Sequence, residues 1–442
     1  MKLRPVPLAT PPAIIESVAL TDLKENPRYA RLQRNSQIQD LMRSIEAFGF
    51  ILPVLIDETG MLITGHVRCA AARKMGMTHV PVIRITHLSP EKILAFSIAD
   101  NQLSQKGRWN ETVVAKILLD LTAAELDFSI EATGFTMAEV DVRIESLDMT
   151  TQGAGDDLSH VETGPAVTEL GDLWGLGKHK LICGSATEAT TYDRLMTQAA
   201  AAVFADPPYN VPVNGHISGS GKTQHREFVE GSGELSPAEY LILLRESMRL
   251  SALHCRKGSI HFWCIDWRHD GVMQQAAEPI FGGLKNLCVW VKDNAGMGSL
   301  YRSAHELVHV YKLAGAAHRN NVQLGRYGRP RSNAWRYPAP SHFQSCEDAS
   351  LIALHPTVKP VALIADAILD VTARGDVVLD PFCGSGSSLL ACQRVGRVGR
   401  AIELDPLYVD LAIRRWQSLT GEDAIHLASG QTFNQRASEV GQ

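Results

Sequence analysis

Residues 377–386 read VVLDPFCGSG, an apolar, β-branched run that ends in Asp380 and passes through a glycine turn into the helix-patterned SSLLACQRVG. A strand that turns directly into a helix, with another strand to follow, commits this part of the chain to an open parallel sheet with helices packed on it. Gly384 and Gly386 let the backbone pass close to a ligand at the carboxyl end of the strand, where such sheets place their binding crevice. The next strand, RAIELD, carries Glu403 at its tip, positioned to accept hydrogen bonds from both hydroxyls of a ribose. Taken alone, this corner fits a dinucleotide as well as any other adenosine-containing ligand.

A second strand end narrows the choice. Residues 201–210, AAVFADPPYN, form an apolar strand that stops at Asp206-Pro207-Pro208-Tyr209. Consecutive prolines cannot extend a sheet ladder, and they hold carbonyl oxygens with no amide of their own. Those carbonyls and the Asp206 carboxylate can accept both hydrogens of an exocyclic amine, while Tyr209 offers a ring face to a planar base. A buried Asp capping a turn is the alternative; the glycine corner elsewhere in the chain favours the amine.

The chain's 442 residues are enough for two or three domains. Residues 149–168 are rich in Gly, Thr and Asp without an aromatic residue, and mark a linker between domains at 1–148 and 169–442. The net charge of −5, with no basic excess in either half, excludes a protein that coats nucleic acid, so any DNA contact must use a local basic face. Eight cysteines without a C-x-x-C pair or zinc spacing predict reduced core residues and no metal site. No apolar run reaches the roughly 18 residues of a membrane span, and the chain starts without a secretory pattern, so a cytoplasmic protein is expected.

In the first half, Ile38, Leu41, Met42, Ile45 and Phe48 recur at helical spacing up to Gly49, the strand ILPVLID follows, and MLITG leads into a helix from His66. Gly65, His66 and Arg68 therefore sit at a strand-to-helix corner, where backbone amides favour a phosphate. A turn glycine beside surface basic residues is the plainer reading.

Two sets of residues carry resemblances. D-P-P-Y at 206–209 and F-x-G-x-G at 382–386, with the Trp174–Ser185 block, residues 289–312 and HPTVKP at 355–360, resemble the β group of amino-group DNA methyltransferases over roughly residues 169–418. The catalytic motif precedes the cofactor motif, as in that group; Ser185 departs from the Asp common among relatives. Residues 14–110, through Gly49-Phe50, Pro53-Val54, Gly60, Gly65-His66-Val67-Arg68 and Asn101, are similar to ParB-like N-terminal domains. Gly-His-Val-Arg replaces their usual Gly-Glu-Arg-Arg, so only the fold and a phosphate contact are carried over. The implied fold is α/β, a Rossmann-like methyltransferase sheet with flanking helices plus a small α+β ParB-like domain.

The resemblance implies S-adenosyl-L-methionine as cofactor, bound by Asp380, Phe382, Gly384, Gly386, Glu403, Thr357 and Lys359, with catalysis by Asp206, Pro207, Pro208 and Tyr209 on the N6 amine of a flipped adenine. Cytosine N4, or a ParB-like DNA-binding protein with an inactive methyltransferase half, are the alternatives. Residues 314–340 hold Arg319, Arg326, Arg329, Arg331 and Arg336 among aromatics and no acid; by position within an expected target-recognition segment at 314–350, these arginines are expected to bind double-stranded DNA. The Gly/Ser-rich stretch after Tyr209, with Lys222, His225 and Arg226, is expected to close over the base. A homodimer and a cognate restriction endonuclease are the further partners that the resemblance admits; no membrane is involved.

Overall fold

The computed structural model describes residues 14–27, 34–106, 109–124, 126–147, 165–210, 233–293, 301–325, 329–338 and 358–440. The chain divides into two compact units, Met1–Leu147 and Asp148–Gln442. Among the described residues, no helix is long and apolar enough to cross a membrane, and seven cysteines are free.

The first unit contains a four-stranded sheet in the order β1-β4-β2-β3, from β1 (Ile15–Ala19), β2 (Val54–Ile56), β3 (Leu62–Thr64) and β4 (His79–Arg84). Its helices are α1 (Asn35–Phe48), α2 (His66–Lys74), α3 (Pro90–Lys106), α4 (Glu111–Ala123) and α5 (Met137–Glu145). Val54, Ile56, Leu62, Val80 and Val82 form its core with Cys69 and Ala72 of α2. Gly65 precedes α2 at φ +95, and a side chain there would overlap Val54. The glycine is thus required by close packing of the corner on β2.

The second unit is built on ten strands: β5 (Leu173–Leu176), β6 (His179–Cys183), β7 (Ala200–Ala205), β8 (Cys255–Ile265), β9 (Asn286–Val291), β10 (His305–Lys312), β11 (Ala334–Arg336), β12 (Val377–Asp380), β13 (Val398–Glu403) and β14 (Ile425–His426). They lie in the order β11-β9-β10-β8-β7-β12-β13-β6-β5-β14. The central run β8-β7-β12-β13-β6 is parallel, and β10 runs against both β8 and β9. Strand alternation sends side chains into two cores. Phe204, Val378 and Ala401 enter one, with α9 (Val361–Val371), α10 (Ser387–Val395) and α11 (Pro406–Thr420). Val203, Ala205, Leu379 and Ile402 enter the other, with α6 (Ala189–Leu195), α7 (Pro237–Leu253) and α8 (Asp270–Phe281). The chain closes with α12 (Phe433–Val440). Burial of both sheet faces explains why these central strands read as continuous apolar runs.

The linker boundary needs correction. Asp410 of α11 accepts the backbone amides of Val167 at 2.7 Å and Thr168 at 3.1 Å, both residues being buried. The last residues of the expected 149–168 linker therefore belong to the second unit.

Candidate active site

The strands β7 and β12 pair directly, Val378 beside Ala202 and Leu379 beside Val203, which brings their carboxyl ends to the same edge of the sheet. Asp206 follows β7, Asp380 ends β12, and Glu403 ends the neighbouring β13; one cleft is lined by all three together with Phe382 and Gly384. Two motifs about 170 residues apart in sequence thus become adjacent because parallel strands require long crossovers.

Beyond β7 the chain leaves the ladder at the two prolines. The Pro208 carbonyl accepts the Tyr240 hydroxyl of α7 at 3.0 Å, while α7 is itself fixed by a capping box between Ser236 and Glu239 with Pro237 at its first turn. Asn210 takes a left-handed φ of 52°; its side chain donates to Leu235 O at 2.8 Å and accepts from the Gly233 and Leu235 amides. Asn210 was not singled out in the sequence. The expected closing stretch with Lys222, His225 and Arg226 lies outside the described residues.

The glycine corner is ordered by carboxylates. Glu403 accepts the Gly384 amide at 2.7 Å and the Asp405 amide at 2.9 Å, and Asp380 accepts the Phe382 amide at 2.9 Å. Burial pushes both carboxyls up to about 7: desolvation disfavours their charge more than these hydrogen bonds restore it. Arg415 of α11 donates to the Ser385 carbonyl at 2.6 Å and to the Ser385 hydroxyl at 2.8 Å, bracing the turn from behind. Gly386 begins α10 at φ +88. Two buried carboxylates facing a cleft suit a ligand that carries cationic groups and paired hydroxyls. Thr357 lies outside the described residues.

Lys359, expected as a cofactor contact, lines this cleft and directs its ammonium to the acids of the D-P-P-Y side. Its ammonium lies 2.6 Å from Asp206 Oδ2 and 2.9 Å from Glu306 Oε2, and it donates to the Tyr209 hydroxyl at 3.0 Å. Tyr209 in turn donates its one hydroxyl proton to Asp206 Oδ1 at 2.7 Å, with Glu306 Oε2 a second acceptor 3.1 Å away. Lys292 completes the cluster 2.5 Å from Glu306 Oε1. Burial would raise Glu306, but Lys359 and Lys292 outweigh it and hold the carboxyl down to about 2. Asp206 goes the other way: burial and the Glu306 charge raise it against the pull of Lys359. Burial alone would deprotonate Lys359, yet Asp206 and Glu306 hold it well above its ordinary value. The Tyr209 hydroxyl is therefore turned into the charge cluster rather than standing free beside an open ring face.

Sequence reasoning did not find Glu306 and Lys292. Glu306 is the second residue of β10, opposite Trp290, and only because β10 runs antiparallel does its amino end meet the carboxyl ends of β7 and β8. The available signal was a Glu near the start of the mixed strand HELVHVYK, which by itself does not mark a site.

The arginines separate sharply. Arg329 is buried and donates to Asp366 at 3.0 Å and Asp370 at 3.3 Å, while Arg331 meets Asp370 at 3.1 Å, Asp366 at 3.2 Å and the Tyr337 hydroxyl at 2.7 Å. Both acids come from α9, so these two guanidinium groups tie β11 to that helix and are not offered to phosphate. Arg319 follows the far end of β10, where Asn321 binds carbonyls at the end of α9, and is at the sheet edge opposite Asp206. Arg336 is exposed at the end of β11 beside Val291, on the edge that carries the cleft. Arg326 and residues 339–350 lie outside the described residues.

In the first unit, His66 is 1% exposed, and Arg68 donates to the Leu52 and Pro53 carbonyls at 2.5 and 2.9 Å. With Gly65 packed on Val54, packing accounts for all three residues expected to contact phosphate.

Residues 200–414 match the DNA methylase family and residues 9–102 the ParB N-terminal domain family. The type II methyltransferase M.HpaI of Haemophilus parainfluenzae is 26% identical over 261 residues, covering 56% of this chain and 77% of that protein. The DNA adenine methyltransferase YhdJ of Escherichia coli is 26% identical over 243 residues, covering 51% and 79%. Among solved structures, a complex of M1.HpyAVI with SAM is 22% identical, covers 53% of this chain and 97% of that one, and has a TM-score of 0.39.

Proposed function

We propose, from the match of residues 200–414 to the DNA methylase family and of residues 9–102 to the ParB N-terminal domain family, that this protein transfers the methyl group of S-adenosylmethionine to the N6 amine of an adenine flipped out of double-stranded DNA. The observation that carries the reading is the meeting of Asp206 and Asp380 at adjacent strand ends in one cleft. The named adenine specificity of the Escherichia coli relative and the Asp that opens the D-P-P-Y motif both favour adenine over cytosine.

The corner suits the cofactor. Asp380 faces its cationic methionine portion and Glu403 the ribose hydroxyls, with Phe382, Gly384 and Gly386 shaping the turn between them. Bound there, S-adenosylmethionine supplies an electrophilic methyl on a sulfonium. Asp206 and the Pro207 carbonyl accept the two amine hydrogens, drawing the nitrogen lone pair out of conjugation and toward that methyl. Pro208 holds the strand end through Tyr240, and the Tyr209 ring stacks on the extruded base, which offsets part of a flipping cost of a few kcal/mol. Arg336 contacts DNA beside the cleft. The ParB domain acts as a tethered second contact with DNA or a partner, raising local concentration. The protein works in the cytoplasm, and a homodimer and a cognate endonuclease fit the same reading.

Both corner carboxyls must be ionised to receive a cationic ligand, yet burial holds them near 7 in the free protein. For groups raised on folding, the stabilising contribution is complete below the unfolded carboxyl range and is lost as pH rises through about 7. Cofactor binding reverses that loss. Calorimetry should show affinity falling by up to about tenfold per pH unit below 7 for each coupled proton, with proton release on binding at pH 6 and almost none at pH 8.5. Equal affinity and no proton release at both values would contradict the assignment.

The base identity is tested by expressing the chain in a methylation-free host and sequencing its DNA with modified-base detection. N6-methyladenine at a defined site is expected; N4-methylcytosine alone would replace the adenine reading.

A further inference from the structure

In the free protein, each oxygen of the Asp206 acceptor carboxylate already has a partner. One oxygen receives the Tyr209 hydroxyl and the other the Lys359 ammonium. An incoming amine must find room beside these two groups, and they differ in what else holds them. Tyr209 follows the strand end next to the entering base, and its hydroxyl, also 3.1 Å from Glu306, has a second acceptor to turn to when it leaves Asp206. Lys359, 4% exposed, is anchored from behind by Glu306, which Lys292 fixes in turn. The aromatic floor is shared: the Lys292 ammonium lies 4.6 Å from the Trp290 ring centroid and that of Lys359 5.8 Å from it. Two acids and two lysines make this buried cluster neutral in sum.

Resting on the reading that Asp206 accepts the target amine, we propose that Glu306 is a positioning residue: with Lys292 behind it, Glu306 retains Lys359 in a shared position between two carboxylates, so that Lys359 keeps Asp206 charged without capping it against the amine. Tyr209 is the partner that yields, its hydroxyl leaving Asp206 Oδ1 as its ring takes up the base. Asp206 then presents one oxygen to the amine while the other stays on the ammonium. A lone lysine would close on Asp206 as a tight ion pair, and a lone carboxylate would be too costly to bury. Sharing avoids both.

The titratable groups facing Asp206 are Tyr209, Cys264 from β8, Glu306 and Lys292 at the ends of β10 and β9, Lys359, and Asp380 from β12. Cys264 is held neutral, since burial pushes its thiol well up. Charge changes at Glu306 and Lys292 should therefore move the ionisation of Asp206 in opposite directions. In Glu306→Gln the like charge is gone and Lys359 shifts wholly to Asp206. In Lys292→Met the unbalanced Glu306 draws Lys359 away.

The test is single-turnover methylation of DNA against pH with the full chain at saturating S-adenosylmethionine, alongside calorimetric cofactor binding. Glu306→Gln is expected to lower the plateau rate at least tenfold and move the acid limb down by about one pH unit. Lys292→Met is expected to move the acid limb up. Glu306→Asp, which keeps the charge, should return the limb to the wild-type position with part of the rate. Cofactor affinity should stay within about threefold throughout. Limbs that stay fixed, or that move together in both variants, would overturn the proposal, and Lys292→Met decides alone if the Gln variant fails to fold. Absence of methylation by the wild-type chain would instead refute the underlying assignment of Asp206.

Discussion

Asp206→Ala is expected to reduce single-turnover methyl transfer by at least two to three orders of magnitude, the roughly 2.7–4 kcal/mol typical of removing one preorganised polar group at a reacting centre. The alanine loses the amine acceptor and also strands Lys359, whose remaining carboxylate partner is Glu306. Asp206→Asn is the companion variant, which keeps one acceptor oxygen while removing the charge and turning the other oxygen into an NH2 donor. Cofactor affinity should change little in either, since Asp380, Glu403 and the glycine turn are held by their own hydrogen bonds. Rapid-quench incorporation of labelled methyl groups gives the rate, and activity of the alanine variant within tenfold of wild type would remove Asp206 from the mechanism.

Gly386→Val is expected to damage the fold as well as the site. From the sequence, a valine here should fill the cofactor's space and leave the fold intact. The structure revises this: a Cβ on Gly386 points away from the cleft, 2.7 Å from Ala412 Cβ and 3.0 Å from Ala412 Cα on α11. A β-branched residue at φ +88 adds about 1–3 kcal/mol of backbone strain, and overpacking against α11 adds about 1–3 kcal/mol more. At roughly 2–4 °C per kcal/mol for a unit of this size, the melting temperature should fall by at least about 5 °C. Cofactor binding should fall with it, because α10 starts on this residue. A variant that melts like wild type would show that the turn is not packed as described.

The cofactor corner was legible because its signals are local: alternating apolar strands, two glycines and an acid at the next strand tip all lie within about 30 residues. The D-P-P-Y turn was legible for the same reason. Glu306 was not, since its role depends on the direction of β10, which no short stretch of sequence states. The error over Arg329 and Arg331 is instructive. Their neutralising partners, Asp366 and Asp370, lie four apart on α9, so both acids face one side of an otherwise apolar helix. A pair of acids so placed on a buried helix demands cations from elsewhere in the chain, and the nearest acid-free arginine run supplies them. DNA contact was expected of these two because the counter-charge was sought only nearby in sequence. Lys359 lines the expected cleft, but its ion pairs with Asp206 and Glu306 depend on the same strand arrangement and were not legible from HPTVKP.

The pairing of β7 with β12 also bears on how the protein is made. β7 is entirely buried in the finished sheet and consists of AAAVFA, but its neighbour β12 is translated about 170 residues later, and β6 waits for β13 about 215 residues later. At typical synthesis rates of roughly 5–20 residues per second, β7 and β6 each leave the ribosome some 10–40 s before the strands that will cover their edges exist. During that interval the nascent chain carries apolar strand edges with no native partner. Any chaperone that protects this protein must therefore act before β12 emerges, and slowing translation through residues 210–370 should lower its soluble yield.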